Sequence, residues 1–388
     1  MLHSVKLTDF FGFEDSVSLT FNSTWTFLVG KNGAGKSVLL ESIVLAAKVA
    51  TSQISPERAP KEFSCDLTLP NDRRVTYSYA WDERVIHTGK SEDDYELQYK
   101  WSEFCRTSDG ILLWEVIDGI AKFETGNVTI PLPEGRGILA IKLPDQLFIP
   151  SEVHMVREIL HNFYIVRAGF PRSRDDRNTI AISMPRLRKS GAFGSNVDER
   201  TSQLISTLIN WSQRKPELIS ELNELGKRLG VFNSIEPRFF YSRSSENNEE
   251  SSESTPIAAT INFDNVNIGL ISDGSRRIAE ILQALVQEDF FGILIIEEPE
   301  TAIHPGLLQR LIATLESYSK HRQIIMSTHS PMVVNKAMPS EIRIVERFED
   351  NINVQELSVG QVLNLEKYLN DDGELSDFLY GGDLDKDE

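Results

Sequence analysis

Gly30-Lys31-Asn32-Gly33-Ala34-Gly35-Lys36-Ser37 has the spacing G-x-x-x-x-G-K-S. It follows the apolar run Trp25-Thr26-Phe27-Leu28-Val29, which reads as a buried strand. It leads into Val38-Leu39-Leu40-Glu41-Ser42-Ile43-Val44-Leu45, which reads as a helix. Strand, glycine-rich loop and helix in that order form a phosphate cradle. Glycines let the backbone aim successive N–H groups at phosphate oxygens, and the helix start adds a positive dipole end. Gly30, Asn32, Gly33, Gly35, Lys36, Ser37 and Val38 are the expected nucleotide-binding positions. Lys36 reaches the β- and γ-phosphates and Ser37 ligates Mg²⁺, so ATP and Mg²⁺ are the expected cofactors.

The chain of 388 residues is 40% hydrophobic and 25% charged, an ordinary globular composition for one large α/β domain with insertions or for two domains. It has no apolar run long enough for a membrane span and no apolar N-terminal segment of signal type. Cys65 and Cys105 are too few for a disulfide framework and lack metal-ligand spacing, which fits a reducing cytoplasm. A net charge of -18 excludes coating nucleic acid with the whole surface. Any such contact needs a local basic patch or a partner. The segment Arg167 to Lys189 is the one concentrated basic stretch, either a contact to phosphates of DNA, RNA or the ATP γ-phosphate, or a solvated face or one paired with acidic neighbours.

Outward from the loop, Val5 to Phe21 reads as an antiparallel hairpin before the loop's strand, and about 63–130 as a β-rich lobe with turns at Pro70-Asn71-Asp72 and Asp109-Gly110. The segment 143–163 is partly helical, and Thr201 to Leu229 forms two helices broken at Pro216. The acidic run 244–256 has no apolar residue and reads as a disordered loop. The expected division is 1–62 for the hairpin and P-loop part of the core, 63–142 for the β-rich lobe, 143–235 for a helical and basic middle, 236–346 for the rest of the core, and 347–388 for an extension with a solvated acidic tail.

The second half supplies chemistry to match. Ile293-Leu294-Ile295-Ile296 ends in Glu297-Glu298-Pro299-Glu300, a buried strand with carboxylates at its tip beside the phosphate loop. Glu297 is the expected Mg²⁺ ligand and Glu298 the residue that polarises an attacking water; acids there also favour the next helix, Leu307 to Tyr318. Ile324-Ile325-Met326 ends in Ser327-Thr328-His329, placing His329 at the ligand edge of an open sheet. Ser272-Asp273-Gly274-Ser275 precedes the helix Ile278 to Val286. It is either a simple cap or a second anion cradle, which one ATP needs only if two copies pack head to tail.

Together the loop at Gly30 to Ser37, the Ser272-Asp273-Gly274 turn, the acidic strand, the turn Thr301-Ala302-Ile303-His304-Pro305 and His329 resemble ABC-type ATPase heads. They are most similar to the branch holding RecF, SMC/Rad50 and OLD-type ATPases, and within it to bacterial predicted AAA-family ATPases with S-D-G, E-E-P-E-x-x-I-H-P and T-H-S-P. The resemblance covers roughly 1–50 and 265–385. It implies an α/β P-loop NTPase with an ABC-type head, an N-terminal antiparallel β-lobe and a helical middle segment. By position it assigns Lys36 and Ser37 to nucleotide and Mg²⁺, Ser272 and Gly274 to a trans-acting signature, Glu298 to the catalytic glutamate and His329 to the switch histidine. It further implies a homodimer, or a higher oligomer of dimers, that sandwiches ATP. The switch controls a separately encoded nuclease or other effector in anti-phage defence or DNA repair. A transporter's nucleotide-binding subunit, a phosphotransferase and a slowly hydrolysing ATP-bound scaffold are the other readings. Glu297 stands where such ATPases usually carry Asp, and His304-Pro305 where transporters carry Asp. Gln53, Gln98 and Gln146 are the candidates for the glutamine loop.

Overall fold

The computed structural model describes residues 1–52, 54–87, 95–124, 129–141, 149–168, 180–181, 199–241, 256–287, 292–320, 322–349, 351–370 and 373–380. Two compact units divide them. The first takes Met1–Val166, Asp289–Pro299 and Glu316–Glu388; the second takes Arg167–Glu288 and Glu300–Leu315.

The first unit holds two sheets. In chain order its elements begin with strands β1 (Leu2–Thr8), β2 (Val17–Thr20) and β3 (Trp25–Val29), then helix α1 (Lys36–Thr51). Strands β4 (Glu62–Thr68), β5 (Arg74–His87), β6 (Tyr95–Thr107), β7 (Leu112–Ile117), β8 (Ile120–Phe123) and β9 (Thr129–Pro131) follow, then α2 (Ser151–His161) and β10 (Tyr164–Val166). After the second unit's elements come β15 (Ile293–Glu297), β16 (Gln323–Ser327), α7 (Pro331–Val334), β17 (Ile342–Phe348), β18 (Asn351–Gln355), α8 (Val359–Asn370) and α9 (Leu375–Tyr380).

The antiparallel sheet runs β2-β1-β4-β5-β6-β7-β8-β9, so the N-terminal hairpin and the β-rich lobe are one surface, joined where Val5 pairs Cys65. Alternation decides its sides: in β4, Phe63, Cys65 and Leu67 turn inward while Glu62 is exposed. The other sheet runs β10-β15-β16-β3-β17-β18, parallel except for β18. Strands β3, β15 and β16 are buried at every residue, which a parallel sheet covered on both faces requires. Leu39, Leu40, Ile43, Val44 and Ala47 of α1 share one apolar cluster with Leu28, Ile293, Ile295, Ile325 and Val345. The face of the sheet carrying those strand residues is therefore the one α1 covers.

The second unit contains β11 (Ile180–Ala181), α3 (Glu199–Arg214), α4 (Pro216–Leu229), β12 (Ile235–Tyr241), β13 (Pro256–Phe263), β14 (Val266–Asn267), α5 (Asp273–Val286) and the start of α6 (Pro305–Ser319). Its sheet runs β11-β13-β12, with β14 on β13. Leu204, Leu208, Leu218, Leu222, Leu225 and Leu229 are buried, Pro216 opens α4 at its first turn, and Gly230 ends it in the left-handed region at φ 72.

The fold is thus an α/β P-loop NTPase carrying an antiparallel sheet. Two details differ from the sequence reading. Helix α5 starts at Asp273, not Ile278, so Gly274 lies inside its first turn. Strand β15 is not directly beside the P-loop strand, because β16 pairs with both. A crossover between strands is invisible to periodicity, which reads one segment at a time.

Candidate nucleotide site

The phosphate loop is shaped by glycines that the structure uses for different reasons. A Cβ on Gly30 would lie 2.1 Å from the carbonyl oxygen of Val345, so the loop leaves β3 pressed against β17. Gly33 and Gly35 have φ of 81 and 97, the left-handed region. Gly35 is the N-cap of α1 and offers no side-chain cap to the helix's first N–H groups. The buried side chain of Lys36 donates from Nζ to the carbonyls of Gly30 (2.8 Å) and Lys31 (3.1 Å), folding back along its own loop. Asn32 and Ser37 are exposed, and Val38 is half-buried against the apolar cluster.

Register brings the acidic strand to this edge. Leu28 pairs Ser327, and Ser327 pairs Glu297, in one row across β3, β16 and β15. The ladder continues one step further, with Thr328 N–H donating to Leu28 O (3.3 Å) and Glu298 N–H to Ser327 O (2.8 Å). Residues in one row project to the same face, so Glu297 and Ser327 share the α1 face with Ile295, Ile325 and Leu28. Glu297 is 7% exposed, and the Ser327 hydroxyl is buried with no hydrogen-bond partner.

The donor set fits Mg²⁺. A carboxylate, an orphaned buried hydroxyl and the Ser37 hydroxyl at the start of the covering helix are all hard oxygen donors. Among the described residues no group of three His, Cys, Asp or Glu side chains gathers, so a site here must include hydroxyls and phosphate oxygens. Ser327 escaped the sequence reading because its partnership with Glu297 exists only once β15 and β16 are paired.

Glu298 has φ 41, an uncommon backbone for a non-glycine residue, which turns its side chain off the strand's alternation. Its Oε1 is 3.8 Å from Nε2 of His329. The structure thus brings Glu297, Glu298 and His329 to one sheet edge in the unit that holds Lys36 and Ser37.

Ser272 and Gly274 lie in the second unit. Ser272 is the N-cap of α5: its hydroxyl oxygen accepts from Ser275 N–H (3.1 Å) and is 2.9 Å from Ser275 Oγ. Ser272 and Asp273 are nonetheless exposed. A Cβ on Gly274 would lie 2.3 Å from the carbonyl oxygen of Ala302, so this glycine has a packing reason independent of any nucleotide. Ala302 itself sits at φ 62, in a turn closed by Ile303 N–H to Glu300 O (3.1 Å).

Of the basic stretch, Arg167 is described, and its carbonyl accepts from Arg200 (3.0 Å) and Arg277; 169–179 and 182–189 lie outside the described residues. Gln98 lies in β6, while Gln53, Gln146, most of 244–256, and Asp371, Asp372 and 381–388 of the tail also lie outside them. No helix among the described residues is long and apolar enough to cross a membrane.

Residues 174–335 match a family model described as AAA domain, putative AbiEii toxin, Type IV TA system. Over 83 residues the chain is 31% identical to the retron Vc95 probable ATPase of Vibrio cholerae serotype O1 biovar El Tor; the match takes in 21% of this chain and 16% of that protein's length. Among solved structures it is similar to an SmcHead bound to the C-winged helix domain of ScpA (TM-score 0.44, 14% identity, 94% of this chain and 99% of that one). It is also similar to an SMC head domain from Thermotoga maritima (TM-score 0.37, 15% identity, 92% and 99%).

Proposed function

We propose that the chain is a Mg²⁺-dependent ATPase of ABC type, from the branch that includes RecF, SMC and OLD-like ATPases. Two copies clamp ATP between the P-loop of one and the Ser272 turn of the other, and hydrolysis releases the clamp. The observation that supports this reading is the row Leu28–Ser327–Glu297, in which the acidic strand ends in register with the strand that leads into the phosphate loop. Similarity to a retron probable ATPase supports a defence role for the switch, and a separately encoded effector, a nuclease acting on nucleic acid in phage defence or repair, is what we take it to control.

Lys36 leaves the loop carbonyls to bind the β- and γ-phosphates. Ser37 and Glu297, with Ser327 beside Glu297, would hold Mg²⁺, which would supply charge neutralisation at the phosphates. Glu298 takes the proton of the attacking water, and His329 donates to a γ-phosphate oxygen.

Sedimentation of Glu298→Gln with saturating ATP tests the clamp. A nucleotide-dependent dimer is expected, together with wild-type hydrolysis whose specific rate rises with protein concentration. A monomer at saturating ATP, with a rate independent of concentration, overturns the reading.

A further inference from the structure

Ser327 ends the middle strand of the row Leu28–Ser327–Glu297, and it is 1% exposed. Its hydroxyl finds no hydrogen-bond partner among the described residues. Other buried hydroxyls of the same unit are bonded. Thr26 Oγ1 accepts from Asn22 N–H (3.0 Å), and the hydroxyls of Ser42 and Thr51 donate to the carbonyls of Val38 (2.7 Å) and Ala47 (2.8 Å). A hydroxyl on a helix can turn back to the carbonyl four residues earlier, as those of Ser42 and Thr51 do. Inside a parallel ladder the carbonyls are already engaged by neighbouring strands. Two residues back on the same face is Ile325, and the cross-strand neighbours are Leu28 and Glu297, so of these three only the acid is polar. Burying a hydroxyl without a partner destabilises a fold, and alanine would sit there at lower cost. A neutral oxygen and a carboxylate side by side under the phosphate-loop helix have the chemistry of a hard-cation site.

We propose that Ser327 is a direct metal ligand, its hydroxyl oxygen binding the nucleotide's Mg²⁺ beside the Glu297 carboxylate. This rests on the ATP and Mg²⁺ reading of the preceding section and deepens it. The hydroxyl is then unpaired in the free protein and satisfied only when metal and nucleotide are bound, so the fold gives up stability for metal affinity. A ligand on a sheet strand is held more rigidly than one on a loop, which suits a cation that demands near-ideal placement of its oxygens.

Binding and melting measurements on the whole chain separate this role from a structural one. Ser327→Ala should unfold without nucleotide at the wild-type temperature or above it, because the unpaired hydroxyl is gone. Its half-saturation with a fluorescent ATP analogue should need about tenfold to a hundredfold more Mg²⁺, the usual cost of losing a group that a metal site relies on. In EDTA the variant and wild type should bind the analogue alike. Ser327→Cys puts sulfur where the oxygen was. Thiolate takes Mg²⁺ poorly and Zn²⁺ well, so this variant should bind the analogue weakly with Mg²⁺ and regain wild-type affinity with Zn²⁺. Ser37→Cys, at the hydroxyl that the preceding section places on Mg²⁺, should show the same switch and reports whether the metal is there at all. A switch in both cysteine variants upholds the proposal. A switch in Ser37→Cys, with Ser327→Cys indifferent to the cation, overturns the role of Ser327 and leaves the preceding reading standing. No switch in either variant overturns both. Ser327→Ala with wild-type Mg²⁺ dependence overturns the proposal. So does a lowered melting temperature with binding lost equally with Mg²⁺ and in EDTA, the mark of a structural hydroxyl.

Discussion

Nε2 of His329 lies 3.8 Å from Oε1 of Glu298, with the two side chains 29% and 35% exposed. The residues are far from each other in the chain's local order and meet because β15 and β16 run parallel and in register, Glu298 following β15 by one residue and His329 following β16 by two. Groups this close act as a unit, and their substitutions should not add. Glu298→Gln and His329→Ala should each slow ATP hydrolysis by roughly 10²-fold or more, as expected for loss of a positioned base or donor. The double variant should be little slower than the worse single one. Steady-state phosphate release on the four proteins checks this, and fully multiplicative losses would show that the two side chains work separately.

Lys36 Nζ donates to Gly30 O (2.8 Å) and Lys31 O (3.1 Å), bonds within its own loop that it exchanges for phosphate oxygens when nucleotide binds. Lys36→Ala should weaken ATP binding by about tenfold to a hundredfold, the worth of a charge-assisted hydrogen bond. Its thermal unfolding without nucleotide should stay near wild type. Titration with a fluorescent ATP analogue, beside a melting curve, separates the two effects; a large drop in melting temperature would count against it.

The glycines should rank by what their Cβ would meet. Gly30→Ala and Gly274→Ala push a methyl group to 2.1 Å from Val345 O and 2.3 Å from Ala302 O, backbone atoms that cannot swing away, and should cost about 3 kcal/mol or more. Gly33→Ala meets nothing within 4 Å and should cost only the strain of its φ of 81, about 1 kcal/mol. Ser272→Ala removes a helix cap, also about 1 kcal/mol. Urea unfolding of the four variants gives the order, which a Gly33 variant as unstable as the Gly30 one would contradict.

Glu103 is buried in the antiparallel sheet and accepts from Trp114 Nε1 (2.9 Å), Ile138 N–H (2.9 Å) and Trp101 Nε1 (3.3 Å). Burial outweighs these donors and pushes its carboxyl up from 4.5 to about 7. A raised folded-state value means that the fold favours the protonated acid. The contribution is fully present below pH 4.5 and is lost as pH rises toward 7, then flat, a change of about 3 kcal/mol across that window. Glu103→Gln cannot titrate. The stability difference between wild type and Glu103→Gln, followed by urea unfolding from pH 4.5 to 8, should therefore shift toward the variant and level off near 7. A difference constant with pH would sink this account.

Local chemistry made much of the molecule legible in advance. G-x-x-x-x-G-K-S between an apolar run and an amphipathic segment has one good solution, because its glycines must turn and its lysine must meet a polar group. Uninterrupted apolar runs such as Ile293 to Ile296 announce a sheet covered on both faces, and Pro216 announces the start of α4. Gly274 was readable only in part: its sequence context marks a helix start, but the need for glycine comes from Ala302, 28 positions away.

What the sequence by itself determined is which segments are strand, loop and helix and which residues carry phosphate chemistry, since those follow from side-chain size, periodicity and backbone freedom within a few residues. Strand order and register belong to the tertiary structure. The insertion of β16 between β3 and β15 put Ser327 beside Glu297 and His329 beside Glu298, and the packing of one turn on another fixed Gly274. Hydrogen bonding between distant strands settles those neighbours, and no local pattern encodes which strand lies next to which.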